Sequence, residues 1–188
     1  TLPSPNFLSS TATTHGKFER DSTGELRVKR MDAVPFTLFL PRSSLEAPIV
    51  IYQHQRDRER SDALAIANEL ASRGLATLAL DAPFQGNRAN TPEKRKTVDW
   101  RNRFTGAETP DGFGDAPGDF LGFAKAQSAG TAWNPFDGRD AMRQAVVDLM
   151  VAVRAIEDGT LVTATRSHPD LKERTFLDTH IGFVGEDT

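Results

Sequence analysis

The stretch that decides the fold runs from Pro48 to Asp81. It opens with Ile49-Val50-Ile51-Tyr52-Gln53-His54, continues through Ser61-Asp62-Ala63-Leu64-Ala65-Ile66-Ala67-Asn68-Glu69-Leu70-Ala71-Ser72-Arg73-Gly74, and closes with Ala76-Thr77-Leu78-Ala79-Leu80-Asp81. The two outer runs are short and apolar at consecutive positions, so both faces of each are expected to be buried, as in parallel strands covered by helices. Between them, Ala63, Ile66, Ala67, Leu70 and Ala71 recur on one helical face. Ser61 is placed to cap the start of that helix, and Gly74 suits its left-handed stop. Strand, helix and strand in so short a span make a βαβ unit, whose crossover is expected to be right-handed.

Working outward, Val34-Pro35-Phe36-Thr37-Leu38-Phe39-Leu40 reads as a strand that Pro35 pushes to a sheet edge. Asp21-Ser22-Thr23-Gly24 is a turn signal with alternating polar and apolar residues on either side, which predicts a solvated hairpin adding antiparallel edge strands. Residues 1–20, rich in Ser, Thr and Pro, read as an irregular arm. Residues 84–138 are polar and glycine-rich without a sustained period, which predicts a long excursion over the strand ends. From Arg139 to Asp158 the helical period returns, with Met142, Ala145, Leu149, Val153 and Ile156 as the predicted buried face and Gly159 as the stop. Ile181-Gly182-Phe183-Val184 reads as a last strand. The order of elements predicts one α/β domain over residues 1–188, a mainly parallel sheet flanked by helices with an N-terminal antiparallel hairpin.

Composition narrows the function. The 188 residues carry a net charge of −3, which weighs against general nucleic-acid binding. The basic run Arg88, Lys94, Arg95, Lys96, Arg101 and Arg103 is diluted by Glu93 and Asp99, and reads as a solvated face. No apolar run approaches the roughly 20 residues of a membrane span. There are no cysteines, which excludes disulfides and thiolate chemistry. No His, Asp and Glu set at ligand spacing accompanies His54, so neither a metal nor a cofactor is expected. The glycine-rich run Asp111 to Asp119 departs from calcium-loop spacing and reads as turns. His15 and His168 fall in polar segments, and His180 precedes the last strand.

Sites in open α/β sheets lie at the carboxyl ends of strands. Three junctions qualify: His54-Gln55-Arg56, Asp81 to Arg88, and Gly185-Glu186-Asp187-Thr188. Asp81-Ala82-Pro83-Phe84-Gln85-Gly86 reads as a capped turn, with Asp81 in a structural role. His54 is read first as a packing histidine and second as a shaper of the loop that follows it.

The segments Pro48 to His54, Ser61 to Gly86, Arg139 to Met150 and His180 to Gly185 together resemble the N-terminal half of the α/β-hydrolase fold, most like bacterial extracellular lipases and carboxylesterases. The resemblance covers roughly residues 30–188. It implies an oxyanion loop after the strand Ile49-Val50-Ile51-Tyr52 and a nucleophile elbow after the last strand. His54 and Gln55 stand where the family has His-Gly, and Arg56 would supply the oxyanion amide. Asp187 falls on the nucleophile position, with the Thr188 amide as second oxyanion donor. Asp187 has three readings: a carboxylate nucleophile of the epoxide-hydrolase or haloalkane-dehalogenase kind, the trace of a non-catalytic elbow, or an acidic chain end. The resemblance thus implies an ester hydrolase acting on a small or lipid-like ester, or else a binding module or scaffold without catalysis. It also implies secretion, periplasmic or cell-surface placement. The family's catalytic His and acid would have to come from a further C-terminal polypeptide. The chain opens on Thr1, with Met31 its first methionine, and is read as a processed chain or a piece of something longer. An edge left after the last strand also leads us to expect more polypeptide in the native material.

Overall fold

The structure is a computed structural model that describes residues 1–10, 15–42, 45–56, 58–89, 98–101, 108–110, 120–122, 126–127, 130, 132–166, 171 and 175–186. Asp187, Thr188, most of the basic run and the glycine-rich run 111–119 lie outside the described residues. In chain order the strands are β1 (Leu2–Asn6), β2 (Arg30–Val34), β3 (Phe36–Phe39), β4 (Glu46–Gln53), β5 (Ala76–Leu80), β6 (Val98–Arg101), β7 (Glu108–Pro110) and β8 (Thr175–Gly185). The helices are α1 (Leu64–Ser72), α2 (Pro135–Glu157) and α3 (Thr160–Thr165).

The main sheet has the order β3-β5-β4-β8. β4 pairs in parallel with both β5 and β8, and β3 runs antiparallel to β5 at the edge. The protein is therefore a mixed α/β molecule with a largely parallel sheet and an antiparallel hairpin at its N-terminus. The βαβ unit is present, with β4 and β5 adjacent and α1 between them in the chain. Proline 35 separates β2 from β3 and leaves β3 on the edge, as a residue without a backbone donor should.

Gly74 ends α1 at φ +79°, with the Leu75 N–H donating to the Leu70 carbonyl and the Gly74 N–H to that of Ala71. This is the Schellman arrangement, and a residue with a Cβ there would be strained. Ser61 is not the cap. Residues Arg60–Ala63 form a 3₁₀ turn that precedes the α-helix, and the Ser61 hydroxyl turns back to Glu59. α2 begins earlier than its apolar period indicates, because the Asn134 side chain caps it and Pro135 opens it.

β4 and β5 bury both faces. On one side Ile49, Ile51, Ala76, Leu78 and Leu80 pack against Ala152, Ala155 and Ile156 of α2, Leu161 of α3, and Leu2 and Val34 of the hairpin. On the other, Tyr52 and Ala79 meet Ala63 and Ile66. The predicted face of α2 is buried only at its C-terminal end. Met142 is half-exposed, as are Val146 and Met150, and the aromatic ring of Phe183 on the edge strand β8 is also exposed. β8 itself starts six residues before Ile181, and its register with β4 shifts between Leu177 and Ile181.

The N-terminal segment departs most from its sequence reading. Residues 2–6, read as part of an irregular arm, form a strand: β1 pairs with β2, Leu2↔Val34 through Asn6↔Arg30, in a sheet of its own. Between β1 and β2 a further segment pairs with both neighbours: Leu8↔Phe18 joins it to the chain leaving β1, and Arg20↔Leu26, across the Asp21–Gly24 turn, joins it to the chain entering β2. This hairpin docks on a polar row of α2. Asp140 accepts from the Phe18 N–H at 3.0 Å, Gln144 bonds both the Phe7 N–H and the Pro5 carbonyl, and Asp148 accepts from the Ser4 hydroxyl at 2.6 Å. The three residues are four apart, hence on one face of the helix. Burial pushes the Asp140 carboxyl up, but bonds from Arg139 and Phe18 and the charges of Arg139 and Arg143 hold it below the usual carboxylate range.

Arg88 joins this row to the turn after β5. Its guanidinium donates to Asp148 at 2.6 Å, to the Asp81 carbonyl at 3.0 Å and to Asp32 of β2 at 3.4 Å. The Arg88 and Asp148 side chains are 8% and 5% exposed, so removing Asp148 leaves the buried Arg88 charge with only its longer contact to Asp32. Asp148→Ala is expected to lower unfolding stability by about 3 kcal/mol in urea titration. Arg73→Ala, which breaks only the exposed pair with Glu69, should change it by less than about 0.5 kcal/mol.

Candidate functional site

The carboxyl ends of β4, β5 and β8 converge. β4 and β8 stay paired to Gln53↔Gly185, and the Glu186 N–H extends the ladder by donating to the Gln53 carbonyl at 3.2 Å. The chain leaving β8 therefore begins beside the loop His54-Gln55-Arg56. Asp187 and Thr188 themselves lie outside the described residues.

His54 is buried, and backbone groups engage both ring nitrogens. Nε2 accepts from the Ala82 N–H at 3.0 Å, which leaves the proton on Nδ1, donated to the Gln55 carbonyl at 2.8 Å. The ring thus staples the loop after β4 to the turn after β5. Burial drives its pKa below the ordinary imidazole value, against the pull of the Gln55 bond and of Asp81, Asp62 and Glu186. His54 is a structural pin with no nitrogen left for proton transfer. Gln55 is half-buried and spends its carbonyl on His54 Nδ1 and the Arg58 N–H, while the Arg56 side chain is exposed.

Asp81 takes the structural role its turn signature predicts. Its carboxylate accepts from the Arg60 N–H and the Asn87 N–H, each at 3.0 Å, and pairs with the Arg60 guanidinium. Arg60 is itself buried and also donates to the Thr37 hydroxyl at 3.1 Å. Gly86 is obligatory here: its φ is +49°, and a Cβ would stand 2.6 Å from the Asp81 carboxylate.

Between Asp81 and Gly86 the turn is strained. Phe84 has φ +63°, a left-handed conformation that costs an aromatic residue about 1–2 kcal/mol. His15, wholly buried rather than in a polar surface segment, stacks on the Phe84 ring at 3.7 Å. Leu8 and Ala141 pack with Phe84 as well. The N-terminal hairpin and α2 therefore hold the turn in place. Next in sequence, Gln85 is fully buried.

These elements enclose a cleft of about 190 Å³ lined by Gln53, His54, Arg56, Ala82 and Gln85 from the strand ends, and by Phe120, Met142, Ala145, Val146 and Leu149 opposite. The volume is below the roughly 300 Å³ of the smallest drug-sized pockets. It suits a short apolar group. The half-exposed α2 residues that the helical period places in the core are its far wall. Sequence reading singled out His54 and Arg56 but missed Gln85, Phe84 and His15. The only hint of them was the Asp81-to-Gly86 turn signature, which does not specify what surrounds it.

Among the described residues no group of three His, Asp or Glu is placed to hold a metal ion, and no helix is long and apolar enough to cross a membrane. Comparison with protein-family models, with curated proteins and with solved structures found no match to this chain.

As pH falls below about 6.5, an unfolded histidine takes up a proton before the buried ring of His54 does. Its contribution to stability is thus complete above that pH and is lost on acidification. Urea midpoints measured from pH 7.5 to 5 should fall for the parent, and the slope should flatten in His54→Gln.

Proposed function

We propose that the chain is a hydrolase-type domain that seats the acyl part of a short-chain ester in the cleft at the strand ends. The observation that carries this reading is the Glu186 N–H bond to Gln53, which sets Glu186 beside the end of β4, from which the loop Gln55–Arg56 leaves. That juxtaposition is what an oxyanion loop and an elbow need, since the two amides must face one developing oxyanion. In this reading a water that gives its proton to a base from further polypeptide attacks the ester carbonyl, the Arg56 and Thr188 amides stabilise the oxyanion beside Asp187 at the elbow, and the alkoxide leaves as the alcohol by taking that proton. The apolar far wall and the small volume favour a short acyl group over a long lipid tail.

The reading assigns the general base to further polypeptide. His54 has both nitrogens engaged, and His15 is stacked on Phe84. Exposed Phe183 on the edge strand and exposed Met150 on α2 are apolar residues such a segment would cover. The pinned His54 equally favours a second reading, a binding module without catalysis. A third, Asp187 as a nucleophile toward epoxides or haloalkanes, follows from its residue type.

One pair of assays separates the three. With p-nitrophenyl butyrate and a chain that carries the further polypeptide, ester hydrolysis predicts release of nitrophenolate that Val146→Trp, which fills the cleft, lowers at least about tenfold. With 1,2-epoxybutane, a carboxylate nucleophile without its base predicts a stable alkyl ester on Asp187 by intact mass, absent in Asp187→Asn. Neither signal, with ligand binding retained, leaves the binding module.

A further inference from the structure

We infer that Gln85 is the ligand-reading side chain of the cleft, and that the ligand carries a carboxamide on its short apolar group. This rests on the cleft being the seat of the acyl group, and adds what that group contains. Gln85 has no exposed surface, and neither Nε2 nor Oε1 finds a hydrogen-bond partner among the described residues. A buried amide left unpaired is costly and rare, so its retention calls for a reason. The residue is held in place: its N–H donates to the Ala82 carbonyl at 3.2 Å, and its carbonyl accepts from the Arg88 N–H at 2.8 Å. The Phe84 conformation just before it is held in turn by the His15 stack. The backbone is thus anchored on both sides of a residue of the cleft wall whose amide lies beneath the cleft surface.

The chemistry of the ligand follows from what a glutamine amide offers. Nε2 donates and Oε1 accepts, side by side. A carboxylate accepts only, and it would face the Oε1 lone pairs. An ester has no donor. A carboxamide presents one donor and one acceptor at the same spacing and satisfies both atoms in a two-bond ring. The opposite wall of Phe120, Met142, Ala145, Val146 and Leu149 takes the alkyl part. Solvent does not reach the Gln85 amide, so the ligand enters with a small displacement of the wall.

The test is ligand-observed NMR titration with butyramide, butyrate and methyl butyrate, each to about 100 mM, the range in which ligands of six or seven heavy atoms bind. Butyramide should bind at least about tenfold tighter than the other two, roughly the worth of one matched polar pair. Gln85→Leu should abolish that preference and melt no lower than the parent, since it breaks no hydrogen bond. Val146→Trp should abolish binding altogether. Equal affinity for the three probes, no butyramide binding, a preference that survives Gln85→Leu, or a melting point several degrees lower in that variant would each overturn the assignment. Butyramide binding without ester turnover would keep it and remove the hydrolase reading. Ester turnover indifferent to Gln85→Leu would do the reverse.

Discussion

The Arg88 guanidinium is the interaction on which the rest of this structure depends. It sits at the end of the turn after β5 and reaches Asp148 of α2, Asp32 of β2 and the Asp81 carbonyl. Three parts of the chain that are remote in sequence meet on one cation. Buried charges are tolerated only when paired and hydrogen-bonded, so this arrangement forms with its partners in place or not at all. It also sets the N-terminal hairpin against the helix, because Asp148 holds the Ser4 hydroxyl and Asp32 holds the Asn6 amide. Burial pushes the Asp32 carboxyl up, yet the bonds from Asn6 and Arg30 and the charge of Arg88 hold it below its ordinary value.

Rigidity at the strand ends follows from the same contacts. The turn from Asp81 to Arg88 is fixed at one end by the Asp81–Arg60 pair and at the other by Arg88. Between those anchors Phe84 is kept left-handed by packing from His15, Leu8 and Ala141, which supply what the backbone alone disfavours. Strain of this kind persists where the surroundings over-determine it, and here it lies beside a cleft. His54 adds the cross-link from the loop after β4. The walls of the cleft are therefore set by hydrogen bonds and ring stacking on the strand side, and by loosely covered apolar residues of α2 on the other.

Much of the scaffold was legible. Ile49 to Tyr52 and Ala76 to Leu80 are strands because consecutive apolar residues need cover on both faces, and they have it. Gly74 ends α1 where a left-handed residue is required, and Pro35 keeps β3 at the edge. Legibility failed where polar residues do the packing. β1 contains Pro3, Ser4, Pro5 and Asn6, which by composition belong in a loop. Ser4 and Asn6 are nonetheless buried, because Asp148 and Asp32 receive them. Likewise the row Asp140, Gln144 and Asp148 reads as the solvent side of an amphipathic helix. It is buried because the hairpin lies on it.

By itself, then, the sequence determined the βαβ unit, the edge strand, the second long helix and the turn that Asp81 caps. Each of these follows from local periodicity or from the dihedral limits of glycine and proline, and neither needs a partner to act. Only the tertiary structure decided which face of α2 is buried, that the first residues form a strand, that His54 is pinned rather than poised, and that Gln85 is enclosed beside the cleft with no side-chain partner among the described residues. Those outcomes depend on which donors and acceptors meet across the fold. A one-dimensional pattern records that a side chain is polar, but not whether a partner will be waiting for it.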